Sequence, residues 1–279
     1  MDAYIQYVGI RTHNPKDVAQ HYKEYFEMEE LARSENGDVA LTDGFYNLSI
    51  LQAAKDERDL GLHQVGIHVD DLHDLVGRIE EFATSTTRLM SDVGGPFHGD
   101  FQVIDPNGLP VTISTSHFGV PSLDGLQRLP AIHHIATSVP NRTAMSLFYQ
   151  QVFGFRKQMS RDENREQARE ERVGPYTREG ASLGDGHTAF QFLVYPVTTS
   201  DLDPGVKVGP RHTRFGINHL GFLVPELTLA VKSLPEDSVH RRPSARPMAE
   251  FRGMDPDGNE YDISQDKGYQ VDAGVWVRA

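Results

Sequence analysis

The 279-residue chain contains no cysteine. Disulfides, thiolate metal sites and cysteine nucleophiles are therefore excluded, and any metal must be held by His, Asp, Glu or Tyr. Such nitrogen and oxygen donors suit Fe(II), Mn(II) or Zn(II). Positive charge is in short supply: 27 Lys and Arg stand against 40 Asp and Glu, a formal charge of −13. That balance would repel backbone phosphates and argues against a nucleic-acid partner. No run of about 18 apolar residues occurs, so no membrane span is expected. The opening residues have no basic region leading into an apolar stretch, so no signal peptide is expected and a cytoplasmic location is the default. No stretch is low-complexity. What is present, 38% hydrophobic and 24% charged residues, fits a globular protein long enough for two domains.

The chain repeats itself, and the repeat organises the rest. Four segments match: Ile5–Ile10, Leu62–Ile67, Ile132–Thr137 and Ile217–Phe222. Each reads apolar, polar, variable, apolar, small, then a strand former. A segment with helical spacing follows each one. The apolar positions are Val18, Tyr22, Tyr25 and Phe26, then Leu72, Leu75, Val76 and Ile79. They are Met145, Phe148, Tyr149 and Val152 in the third unit, and Leu227, Ala230, Val231 and Leu234 in the fourth. This pattern predicts helices with one buried face. Each unit closes with a turn and a strand: Asp43-Gly44 before Phe45–Ile50, Asp105-Pro106-Asn107-Gly108 before Val111–Ile113, Asp185-Gly186 before Ala189–Phe192, and Asp255-Pro256-Asp257-Gly258 before Tyr261–Ile263. The segment from about Ser116 to Pro130 reads as a link between halves. The run from Arg161 to Arg172 reads as an exposed loop or helix.

With its four strand starts, the segments Ser146-Leu147-Phe148-Tyr149 and Val152-Phe153-Gly154-Phe155, and the closing Asp255-Pro256-Asp257-Gly258-Asn259, the chain resembles the vicinal oxygen chelate superfamily. The resemblance implies an α+β fold of four βαβββ modules paired into two half-open barrel domains. These would be residues 1–118, with a degenerate site, and residues 129–279, with a metal site. Two such domains resemble the type I extradiol dioxygenases, whose C-terminal barrel is the active one. In the family, metal ligands come from the third position of the first strand of each module and from the closing strand. Here those strand positions hold Tyr7, Gln64, His134 and His219, and the closing strands offer Thr112 and Asp262. The resemblance thus implies a 2-His-1-carboxylate centre of His134, His219 and Asp262, which leaves coordination positions open. Glu260 is the alternative carboxylate. His133 alternates to the opposite face and is read as supporting structure.

By the same resemblance, His187 is the candidate catalytic acid–base, with a plain turn histidine as the alternative. Gln191 would be a fourth ligand in a glyoxalase-like arrangement. Tyr261 and Tyr269 line a pocket or simply pack. The chain departs from the extradiol pattern where that pattern has a tyrosine before the Asp-Pro turn; Arg252 stands there, near Arg241, Arg242 and Arg246. These arginines either bind a substrate carboxylate or are solvated. The leading expectation is a metal-dependent oxygenase acting on a small vicinal-oxygen substrate such as a catechol. The alternatives are a glyoxalase-type lyase or isomerase working through an enediolate, and a non-catalytic small-molecule binding protein. The N-terminal domain serves as a scaffold or as a surface for homo-oligomer formation, and the sequence leaves both open.

Overall fold

A computed structural model describes residues 3–82, 88–91, 97, 99–120, 129–157, 180–193, 215–241 and 251–265. The first repeat is β1 (Ala3–Thr12), α1 (Pro15–Phe26), β2 (Glu29–Arg33), β3 (Val39–Thr42) and β4 (Asn47–Gln52). The second is β5 (Gly61–Val69), α2 (Leu72–Phe82), β6 (Arg88–Ser91), β7 (Phe101–Ile104) and β8 (Pro110–Ser114). The third is β9 (Ala131–Ser138), α3 (Arg142–Phe153), β10 (Arg156–Lys157), β11 (Gly180–Gly184) and β12 (Ala189–Leu193). The fourth is β13 (Gly216–Val224), α4 (Leu227–Ser233), β14 (Val239–Arg241), β15 (Phe251–Met254) and β16 (Glu260–Gln265). All four repeats are therefore βαβββ. The first two build one eight-stranded sheet, ordered β2-β3-β4-β1-β5-β8-β7-β6, and the last two build a second sheet with the equivalent order. Among the described residues no helix is long and apolar enough to cross a membrane.

Helices α1, α2 and α3 bury the faces that their spacing predicts, whereas Leu227, Ala230 and Val231 of α4 are only partly buried against the core and Leu234 lies just past its end. Val18, Tyr22 and Phe26 of α1 are buried, as are Met145, Phe148, Tyr149 and Val152 of α3. Asn141 caps α3 by accepting the Ala144 N–H, and Gly154 ends it in the left-handed region at φ +73. The first closing strand starts later than the sequence suggests, at Asn47 rather than Phe45. The reason is local: Asp43 Oδ1 accepts the N–H groups of Phe45 and Tyr46 and keeps both in the turn.

The same four turn aspartates fasten the two sheets to each other. Each divides its oxygens. Oδ1 caps its own turn, taking N–H groups from Phe45 and Tyr46, from Asn107 and Leu109, from His187 and Thr188, or from Asp257 and Asn259. Oδ2 reaches into the other half of the chain. Asp43 accepts from Ile132 N at 2.8 Å and Asp185 from Ile5 N at 2.6 Å. Asp105 accepts from the Tyr149 hydroxyl at 3.1 Å and Asp255 from the Tyr22 hydroxyl at 3.2 Å. Burial pushes all four carboxyls up, Asp105 and Asp255 to about 6. Around these bonds one hydrophobic core runs through both sheets, with Phe26 stacked on Phe222 at 3.9 Å and Phe82 against Phe148 at 5.6 Å.

His21 lies in this shared core, its Nε2 2.9 Å from the Tyr261 hydroxyl. Burial lowers its pKa from 6.5 to about 4. A histidine depressed in the folded state contributes stability that is complete above pH 6.5 and is lost as pH falls toward 4, up to roughly 3 kcal/mol at about 1.4 kcal/mol per unit. Guanidinium unfolding of wild type and His21→Gln, each measured from pH 7 to 4, is expected to show a flatter pH dependence in the variant. Parallel curves would contradict this.

Candidate metal centre

The middle of each sheet is an antiparallel strand pair, β1 with β5 and β9 with β13. Its register explains the repeat's alternation of a variable third position with a small fifth one. Tyr7 lies opposite Gly66, Gln64 opposite Gly9, His134 opposite Gly221 and His219 opposite Ala136. Each large third-position side chain crosses the small residue of the partner strand. The fit is closest at Gly221, where an added Cβ would lie 1.9 Å from Cε1 and 2.0 Å from Nδ1 of His134. Only a residue without a side chain leaves room for that imidazole.

Strand β16 runs parallel beside β13 and sets Glu260 next to His219 and Asp262 next to Gly221. The result is a buried cluster of His134, His219 and Asp262, with one ligand atom from each lying within 4.8 Å of the others. All three are 3% exposed or less. His219 Nδ1 donates to Asn218 Oδ1 at 2.6 Å, which turns the lone pair of Nε2 toward Asp262 Oδ2, 3.2 Å away. Two donors on adjacent coordination positions of a metal with bonds near 2.1 Å are separated by about 3 to 3.4 Å. The donor chemistry, the tautomer and this spacing all fit a divalent first-row ion. Asp262, not Glu260, is the carboxylate that reaches the imidazoles.

The equivalent place in the N-terminal sheet is filled by its own side chains. Tyr7 accepts a hydrogen bond from Gln64 Nε2 at 2.9 Å and donates to the Phe97 carbonyl at 2.8 Å. Burial pushes its hydroxyl pKa far up, so it stays neutral. Thr112, the counterpart of Asp262, is buried beside Gly66. The Phe118 ring packs on Tyr7 at 5.0 Å. Phe118 belongs to a one-turn 3-10 segment, His117–Gly119, so the start of the expected link is core rather than tether. Residues 121–128 of that link lie outside the described residues.

The structure separates the remaining candidates. His187 does not join the cluster: it is exposed, stacks on Phe45 at 4.7 Å and meets Tyr4 edge-on at 5.3 Å, both in the N-terminal half. Its turn, capped by Asp185, carries it there. His133 is the unpaired residue at a register shift in β9, so the expected alternation is interrupted there; it is buried with its ring 5.9 Å from that of His134, and its pKa is lowered to about 3 by desolvation and the neighbouring His134. Tyr261 faces the core around α1 and not the cluster. Arg252 is neither solvated nor turned out to a substrate: it is buried, giving Nε to Asp262 Oδ1 at 2.8 Å and Nη1 to Glu260 Oε2 at 2.9 Å. Sequence reasoning missed this pairing, although Arg252 on β15 lies directly opposite Asp262. The side chains of Gln191 and Arg241, and the whole of Arg161 to Arg172, Arg242, Arg246 and Tyr269, lie outside the described residues.

No protein-family model and no curated protein matches the chain in sequence. Its fold, however, matches solved structures over nearly its whole length. A 2,3-dioxygenase from Pseudomonas sp. KL28 superposes with a TM-score of 0.62 at 16% identity, covering 94% of this chain and 91% of that one. The chain carries the vicinal oxygen chelate fold. A Mn(II)-bound glyoxalase from Novosphingobium aromaticivorans matches with a TM-score of 0.66, also at 16% identity, over 94% of this chain and 82% of that one. A homoprotocatechuate 2,3-dioxygenase from Arthrobacter globiformis matches at 0.61 and 16% identity, over 94% and 79%. These vicinal oxygen chelate proteins include both a redox and a non-redox chemistry, so the fold gives the scaffold and the buried cluster must supply the argument for the reaction.

Proposed function

We propose that His134, His219 and Asp262 hold a divalent metal, Fe(II) or Mn(II), and that the chain is an extradiol-type dioxygenase acting on a small vicinal-oxygen substrate such as a catechol. The observation that carries this reading is the convergence of those three side chains, from two different repeats, in a buried cluster where the bare Gly221 backbone makes room for His134. A divalent ion there would supply Lewis-acid chelation of two adjacent substrate oxygens and redox access to dioxygen. The protein's own part is positioning. Asn218 fixes the His219 tautomer, Gly221 seats His134, Arg252 orients Asp262, and burial keeps bulk water away. Three ligands leave positions for a bidentate substrate.

A glyoxalase-type lyase is the second reading. It is favoured by the place of His187, which leaves the cluster, among the described residues, without the acid–base histidine that the extradiol reading expects. The test starts from protein purified anaerobically and reconstituted with Fe(II), Mn(II) or Zn(II), and measures metal per chain and oxygen uptake with a catechol panel. We expect one metal per chain and oxygen uptake with Fe(II) or Mn(II). His134→Ala is expected to lose both metal and uptake, the latter by about a hundredfold or more. Anaerobic turnover with Zn(II) would replace the dioxygenase reading by the second, and wild type that binds no metal would remove both.

A further inference from the structure

Two carboxylates face the same side of β16, yet only one of them belongs to the metal cluster. Glu260 is the direct cross-strand neighbour of His219 and is as buried as Asp262, at 3% and 2% exposure. By position it is as well placed as Asp262 to become a ligand. Across from them on β15, directly opposite Asp262, is Arg252. Its guanidinium takes one oxygen from each: Nε binds Asp262 Oδ1 and Nη1 binds Glu260 Oε2. A planar fork of this kind fixes both carboxylates in direction as well as distance.

We infer that Arg252 is a positioning residue that keeps Glu260 out of the coordination sphere and limits Asp262 to a single ligand oxygen, so that the centre stays a three-ligand site with open positions. This rests on the reading of His134, His219 and Asp262 as the metal ligands. With Oδ1 engaged by Arg252, Asp262 presents Oδ2 alone to His219. With Oε2 engaged, Glu260 is drawn toward β15 and its charge is matched. Without the guanidinium, two carboxylates would be left with one fewer cation in a buried place, a costly arrangement that a divalent ion relieves. Glu260 and the second oxygen of Asp262 would then turn to the metal. Affinity would rise, and the positions that a vicinal-oxygen substrate needs would fill.

The test measures Mn(II) affinity by calorimetry and the visible d–d spectrum of the Co(II)-substituted protein, for full-length wild type, Arg252→Gln, Glu260→Gln, the double variant and His134→Ala. For Arg252→Gln we expect Mn(II) binding about tenfold tighter or more, with a weaker Co(II) band as coordination number rises. Glu260→Gln alone is expected to match wild type, because Glu260 is not a ligand while Arg252 is present. The double variant should lose most of the gain. Equal or weaker binding by Arg252→Gln would overturn the inference, as would a gain that survives in the double variant. If Arg252→Gln does not fold, Glu260→Gln still decides: weaker metal binding there would make Glu260 a ligand and end the proposal. Failure of the underlying reading looks different, since wild type and His134→Ala would then bind metal equally or not at all.

Discussion

Gly221→Ala is expected to abolish metal binding without removing a ligand. The new Cβ would lie 1.9 to 2.5 Å from three atoms of the His134 ring, closer than non-bonded atoms approach. The backbone at Gly221 has no positive φ, so alanine fits the strand itself. What must yield is the imidazole, which can turn about two torsions where the backbone cannot move. It would leave the place opposite β13 where it meets His219 and Asp262. The expected loss in metal affinity is therefore about a hundredfold or more, with unfolding still cooperative. Metal titration beside guanidinium unfolding separates the two effects. Unchanged metal affinity in Gly221→Ala would show that His134 is not held where the cluster needs it. The contrasting variant is Ala136→Gly, opposite His219, for which little change in metal affinity is expected.

The second large effect is on stability and falls in the other half of the chain. Phe118→Ala is expected to cost about 3 to 5 kcal/mol, the usual range for emptying a buried phenylalanine site. The ring is fully buried and fills the N-terminal counterpart of the metal centre against Tyr7 and Gly66. Phe118 and His117 both sit at positive φ, 52 and 53, which side chains other than glycine rarely adopt. The fold tolerates this because the segment is tied on both sides. Asn47 Nδ2 donates to the Phe118 carbonyl at 2.7 Å, and His117 Nδ1 lies 2.9 Å from Gln6 Oε1. Equilibrium unfolding in guanidinium gives the number directly. A cost under about 1 kcal/mol would mean that the ring is not seated as a plug and that the N-terminal barrel collapses without it. Because one core joins the sheets, the lost stability is expected to appear in a single transition and not in an early partial one.

Much of the architecture was legible because it is periodic. The four strand starts, the helical stripes and the Asp-first turns repeat at equivalent places, and local chemistry is enough to form each of them. Third positions holding Tyr7 and Gln64 in one half, and His134 and His219 in the other, are visible as a contrast between halves. The convergence of the two histidines with Asp262 follows once the repeat is known to pair. Other features were hidden because they depend on what lies across a sheet or between sheets. The turn aspartates look fully explained by their own loops, and nothing local reveals that their second oxygens take Ile132 N, Ile5 N, Tyr149 and Tyr22. His187 has the neighbours expected of a strand end, but its ring is claimed by Phe45 and Tyr4, from a distant part of the chain. Phe118 lies in a stretch rich in Gly, Pro and Ser that reads as a tether. Arg252 could be seen to differ from a tyrosine, but its partners depend on the β15–β16 register.

The sequence by itself determined the repeated module, the absence of thiol chemistry and the half of the chain that holds metal-competent side chains. Those follow from residue type and spacing, which act over a few residues. Tertiary structure alone decided which of two neighbouring carboxylates meets the imidazoles, that an arginine pairs with both, and that the two sheets share one core. Those outcomes turn on which strand lies beside which and in what register, and residue type and spacing along the chain have no means of recording it.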